Sequence, residues 1–154
     1  NNKCQILNYY FNKFLLFLIN FLLFEKNNMT KCYTMFNYRF LVSAILFVVF
    51  DFIYLSLIKK MFMKQITIVQ GSAVKMDLLA TILCYIFLIV GINYFIIQPR
   101  KSVSDAFLLG LVIYAVYETT NKALFSNWSW ITVIMDTLWG GILFALTTWC
   151  VRLL

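Results

Sequence analysis

Three acidic residues of this 154-residue chain, Asp51, Glu118 and Asp136, fall inside apolar stretches. A carboxyl group at membrane depth is costly, so it needs partners or a purpose. Three of them could hold a proton or a cation, or supply oxygen ligands to a divalent ion. Glu118 belongs to the stretch 114–121, which reads Y-A-V-Y-E-T-T-N. Tyr114, Tyr117, Glu118 and Asn121 are spaced i, i+3, i+4 and i+7, and on a helix they share one face. Lys122 follows Glu118 at i+4, the favourable order for a helix ion pair. It can snorkel to the surface or turn inward to neutralise a carboxylate.

The elements that must position these groups follow from composition. Hydrophobic residues make up 63% of the chain and charged residues 12%, against about 25% charged in a soluble domain. So few charges cannot cover a water-facing surface, and the implied solvent is lipid. The net charge of +7 comes from residues that sit between the apolar runs: Arg39, Lys59, Lys60, Lys64, Lys75, Arg100, Lys101 and Arg152. That placement fits anchors at anionic headgroups and argues against nucleic acid as a partner. With no histidine and no C-x-x-C, zinc sites and histidine-based catalysis lose their usual residues, and no cofactor is implied. Cys84 and Cys150 lie in apolar runs and read as small buried hydrophobes.

Four spans are expected, at about 36–58, 77–97, 104–124 and 131–151. Short links between them make sequential helices antiparallel neighbours. The fold class is therefore all-α, an antiparallel four-helix transmembrane bundle, with residues 35–154 as one membrane domain. Asp77 and the pair Ser102 and Ser104 are placed to cap the second and third helices, with Asp105 in the first turn of the third. Residues 59–70 have amphipathic character and read as a short helix lying in the interface, ended by Gly71-Ser72. Trp128 and Trp130 fit an interfacial aromatic belt. Residues 1–34 form a tail whose longest apolar piece, 14–24, is shorter than the ~20 residues of a spanning helix. It reads as disordered, as an interfacial helix or as a spurious upstream extension. A signal-peptide hydrophobic region is a further reading, with no small-residue cleavage site after it. Basic residues divide almost evenly between the two sides of the four spans, and the lysines of the tail tip the count towards cytoplasmic termini. The sequons at Asn28 and Asn127 are weak signals.

Depth along the helices relates the three acids. Asp51 is seven residues before the end of span one, Glu118 six before the end of span three, and Asp136 about six into span four. At 1.5 Å per residue each lies roughly 9–10 Å below the same membrane surface. The same band takes in Tyr54, Thr81, Tyr85, Tyr117, Asn121 and Trp139, whereas Asn93 lies much deeper. Three central, unpaired charges would cost up to roughly 10 kcal/mol on insertion scales, less in this shallower layer. Three acids and one lysine leave an excess of negative charge. At least one acid is then protonated, or a cation or water fills the site. Trp139-Gly140-Gly141 reads as packing, since small residues let helices approach.

The motifs D-F-I-Y-L-S from Asp51, Y-A-V-Y-E-T-T-N from Tyr114 and D-T-L-W-G from Asp136 resemble a domain-of-unknown-function family. Its members are small, mostly bacterial, predicted membrane proteins with four helices. The family pattern is roughly D-x-x-W-L-G, then Y-x-x-Y-D-x-T-N, then D-x-x-W-G, and the resemblance covers about residues 35–154. Tyr54 stands where the family usually has tryptophan, and Glu118 where aspartate is commoner. Both keep the chemical type. The resemblance implies an architecture and no activity.

Three functions fit these residues. One is a carrier of a small solute, cation or proton, with Asp51, Glu118 and Asp136 as the site, Lys122 tuning it, and Tyr54, Tyr85, Tyr114, Tyr117, Asn121 and Trp139 around it. The second is a structural or assembly subunit, or a homo-oligomer, whose polar layer specifies helix packing. The third, with least support, is a metal-dependent lipid-modifying enzyme. No nucleophile–base pair accompanies the carboxylates.

Overall fold

The structure is a computed structural model and describes residues 38–72 and 75–154. The expected tail therefore lies outside the described residues. Four helices make up the unit Tyr38–Leu154: α1 (Tyr38–Gln70), α2 (Leu78–Ile92), α3 (Val103–Leu124) and α4 (Trp130–Leu153). All are long and apolar enough to cross a membrane when α2 is counted with the π-helical turn Asn93–Ile97 that continues it.

Helix ends follow local chemistry. The Asp77 carboxylate accepts from the Ala80 backbone N–H at 3.1 Å and starts α2. Ser102 and Asp105 form a reciprocal capping box at the start of α3, each satisfying a backbone N–H that the first turn leaves free. Ser129 caps α4 through the Ile131 N–H. The π turn was not expected. Its bonds reach five residues back, from the Gln98 N–H to the Asn93 carbonyl and from the Lys101 N–H to the Ile96 carbonyl. It stands just before Pro99, which has no N–H to offer a helix.

The expected boundary at Ile58/Lys59 is absent, because α1 runs unbroken to Gln70. No glycine or proline interrupts 38–70, and the first left-handed residue is Gly71, at φ +70°. Thirty-three residues span about 50 Å, well beyond the ~30 Å hydrocarbon core. Amphipathic character at 59–70 thus belongs to a continuation of the same rod. Gln65 Nε2 donates to the Asn127 carbonyl at 2.8 Å, and the Phe62 ring meets Trp128 edge to face. The last turns of α1 therefore lean on the α3–α4 link.

Paired contacts run in opposing chain directions, as antiparallel packing requires. Tyr38 meets Leu154, Asp51 meets Trp139, and Gln65 meets Asn127. The closest approach is between α3 and α4. A β-carbon on Gly110 would overlap the Gly140 carbonyl, and one on Gly140 would overlap the Tyr114 ring. These glycines let the two backbones meet.

Burial is inverted relative to a water-soluble domain. Among the described residues nine hydrophobic and nine polar or charged side chains are buried, while Leu57, Phe52, Phe87, Ile131 and many like them are exposed. Leucine and phenylalanine outside, carboxylates and threonines inside, is the arrangement lipid solvent selects. Cys84 departs from the sequence expectation: it is exposed on the outer surface rather than buried. Far from the carboxylates, Asn93 is buried and donates to Ser43 Oγ at 2.9 Å, which ties α2 to α1.

Candidate functional site

Asp51 is buried on α1 and has a donor on each oxygen. The Tyr85 hydroxyl donates to Oδ2 at 2.6 Å and the Trp139 indole to Oδ1 at 2.9 Å. Tyr85 comes from α2 and Trp139 from α4, so one carboxylate joins three helices. The Tyr54 ring lies flat on Trp139, 4.2 Å between centroids with planes 7° apart. That stack holds the indole edge towards Asp51. Tyr54 thus supplies an aromatic plane against that indole.

The second group lies across that stack. Glu118 is completely buried, and its Oε2 accepts from the Trp128 indole at 2.7 Å. Among the described residues its Oε1 has no donor. Asp136, 8% exposed, lies with its carboxyl against that of Glu118. The Tyr54 hydroxyl faces Asp136 without a hydrogen bond of good geometry. From one side to the other the order is Tyr85, Asp51, Trp139, Tyr54, Asp136, Glu118, Trp128. Two carboxyl centres are separated by a stacked Tyr–Trp pair. Among the described residues, no three metal-ligating side chains come together.

Several expected members lie elsewhere. Tyr117 is 56% exposed. At about 100° per residue it is a full residue step away from Glu118 around the helix, so an i, i+3, i+4 face is wide enough to put its edge outside. Lys122 does not pair with Glu118: its ammonium donates to the Ser126 carbonyl at 3.3 Å and lies over the Trp130 ring. At the last turn of α3 the free carbonyls and helix dipole attract it. Tyr114 packs its ring over Gly140. Asn121 is half-buried, with its backbone carbonyl accepting from Phe125 N–H. Thr81 donates to the Asp77 carbonyl within its own helix.

Trp128 is the group that sequence reasoning missed, having been assigned to an aromatic belt. It is 6% exposed. The turn at 126–127 folds it back ten residues onto Glu118. A tryptophan next to a buried acid in a very short link was the available signal, because a buried indole N–H usually finds an acceptor.

Fold and site together define a polytopic helical membrane protein with a buried polar layer between its helices. The profile of the family described as "Predicted membrane protein (DUF2177)" matches residues 36–153, and the chain belongs to that family. Comparison with curated proteins and with solved structures gave no match.

Proposed function

We propose that the protein is a carrier whose buried Glu118–Asp136 pair binds and releases a proton or small cation in step with a small solute. The observation that carries this reading is the Oε1 of Glu118, buried without a donor beside a second carboxyl. Two ionised carboxylates in contact away from water repel strongly, and one proton between them turns a rival acceptor into a donor. A cation between them does the same. Gain or loss of that charge changes the electrostatics of a site joining α3 to α4, which is what coupling requires. Lys122, turned towards the helix end, leaves the pair without a fixed counter-ion. In this reading Asp51, Tyr85, Trp139 and Tyr54 form the frame, residues 35–154 are the working unit, and its two ends face the cytoplasm.

The test is proton flux into liposomes that carry the full chain and enclose a pH-sensitive dye. Glu118→Gln and Asp136→Asn are expected to lower the flux at least tenfold. In infrared spectra the band of a protonated carboxyl is expected in the parent protein and absent in both variants. Parent flux no faster than empty vesicles, together with no protonated carboxyl band, overturns the reading.

A second reading, a packing or assembly subunit, is favoured by Asp51, whose two oxygens are both occupied by protein donors. It predicts that changes anywhere in the layer lower stability and alter no flux.

A further inference from the structure

The end of the unit away from Trp128 carries a different chemistry. Arg39 lies in the first turn of α1, Arg100 in the link after the π turn, and Arg152 in the last turn of α4. They meet because the ends of the helices meet. Tyr38 donates its hydroxyl to the Leu154 carbonyl at 3.3 Å, and Arg152 Nη2 donates to the carbonyls of Arg100 and Lys101. A cavity of about 360 Å³ opens between them, lined by Arg39, Ile97, Arg100, Thr148, Val151 and Arg152. Among the described residues, three guanidinium groups and no acid line it.

Two further features belong to its wall. Thr148 is 1% exposed, and its hydroxyl has no hydrogen-bond partner among the described residues. A buried hydroxyl on the wall of a cationic cavity is a donor without an acceptor. Arg100 has a φ of 56°, the left-handed conformation at a helix end where glycine is the easiest residue. Arginine stands there against backbone preference. Asp105, the acid whose field Lys101 and Arg152 share, is held by Ser102 in the capping box.

We propose that this cavity binds a phosphoryl anion, presented by an anionic phospholipid headgroup or free in solution. Guanidinium forks match phosphoryl oxygens two at a time. Basic pockets between helix ends are where anionic headgroups are read. Thr148 completes the set as a neutral donor on the floor, with Ile97 and Val151 as apolar walls beside a glycerol or acyl stem. The site is distinct from the carboxyl layer, and its test does not depend on the carrier reading.

The experiment uses the full chain purified in a neutral detergent. Retention of phosphatidylglycerol against phosphatidylcholine is measured by native mass spectrometry, and the melting temperature is measured with and without inorganic phosphate. Arg100→Gly removes a guanidinium while easing the backbone, so it threatens the fold least. Thr148→Val removes only the hydroxyl. Preferential retention of phosphatidylglycerol, reduced at least fivefold in both variants, assigns a lipid headgroup. A phosphate-dependent rise in melting temperature, lost in both variants and without lipid preference, assigns a free anion. Equal retention of both lipids with no phosphate effect overturns the proposal. So does parent-like binding by both variants when their melting temperatures match the parent.

Discussion

Asp51 and Glu118 carry the same functional group, are both buried, and are both bound by a tryptophan indole. They differ in the second oxygen. Asp51 has the Tyr85 hydroxyl there, so three helices close around a satisfied carboxylate. Glu118 has no protein N–H or hydroxyl on Oε1 among the described residues, and the Asp136 carboxyl lies beside it. One centre is complete with protein groups alone, and in the carrier reading the other takes up a proton or cation. Burial of an acid in a membrane bundle therefore does not mark a functional group by itself. What marks it is an unmet hydrogen-bonding demand that a mobile proton or cation can meet.

The largest effect expected from breaking this contrast is at Asp51. Asp51→Leu leaves the half-buried Tyr85 hydroxyl and Trp139 indole without their acceptor, at about 1–3 kcal/mol each. Unfolding in mixed micelles is expected to show a loss of roughly 2–6 kcal/mol, less where the unfolded chain finds partners in the micelle. Glu118→Leu orphans only Trp128 and relieves Asp136, so it is expected to cost distinctly less. Equal losses at the two sites would remove the distinction between them.

Next in size is the contact that sets Asp136 beside Glu118. Gly140→Ala places a methyl group into the Tyr114 ring, and overpacking of this kind costs about 1–3 kcal/mol. It also spreads α3 from α4. The infrared signature of the carboxyl pair is expected to shift, while hydrogen bonding of Tyr85 to Asp51, between α1 and α2, stays as it was. A shift in both would mean that the two centres are one unit.

Gln65→Ala is smaller still. It removes one bond to the Asn127 carbonyl, worth about 0.5–1.5 kcal/mol. Hydrogen exchange in the α3–α4 link is expected to rise, because the far end of α1 steadies the turn that carries Trp128.

How much of this was legible in the sequence depends on what each feature rests on. Four apolar runs, the caps at Asp77 and Ser102, and the small residues at Gly140 and Gly141 depend on near neighbours in the chain. Each appears in the structure where local chemistry puts it. Counting residues from the ends of the apolar runs puts Asp51, Glu118 and Asp136 at one expected level at 1.5 Å per residue, although for Asp51 the count starts at Ile58, which ends an apolar run and not the helix. Rotation about the axis is less forgiving. Tyr117 and Glu118 are adjacent in sequence and sit on different sides of α3, one exposed and one sealed. Depth also says nothing of lateral grouping, so the split into Asp51 on one side and Glu118 with Asp136 on the other was not visible. Trp128 and Gln65 act across a turn and across helices, and neither spacing nor charge announces such contacts. Continuity of α1 is hidden in the sequence because Lys59 and Lys60 resemble the end of a span. Lysines end a hydrocarbon run without ending a helix, which has no reason to stop before Gly71.

The smallest expected change in stability separates the two centres most sharply. In Glu118→Gln the carbonyl oxygen of the new amide still accepts from Trp128, and its nitrogen supplies the donor that faces Asp136. Asp136→Asn does the same from the other side. Either variant converts a proton-requiring contact into a permanent hydrogen bond, so stability is expected to stay within about 0.5 kcal/mol of the parent or to rise. Asp51→Asn has the opposite outcome. One of its two acceptor oxygens becomes an NH₂; the Tyr85 hydroxyl must turn to accept from it, which leaves the hydroxyl proton without an acceptor, and about 1–3 kcal/mol is lost. Denaturation of the three variants side by side reads the sign directly. If Glu118→Gln destabilises as much as Asp51→Asn, then Glu118 is already satisfied and the pair holds no vacancy for a proton. If it does not, a carboxyl has been kept where an amide would serve the fold as well, and packing alone does not account for it.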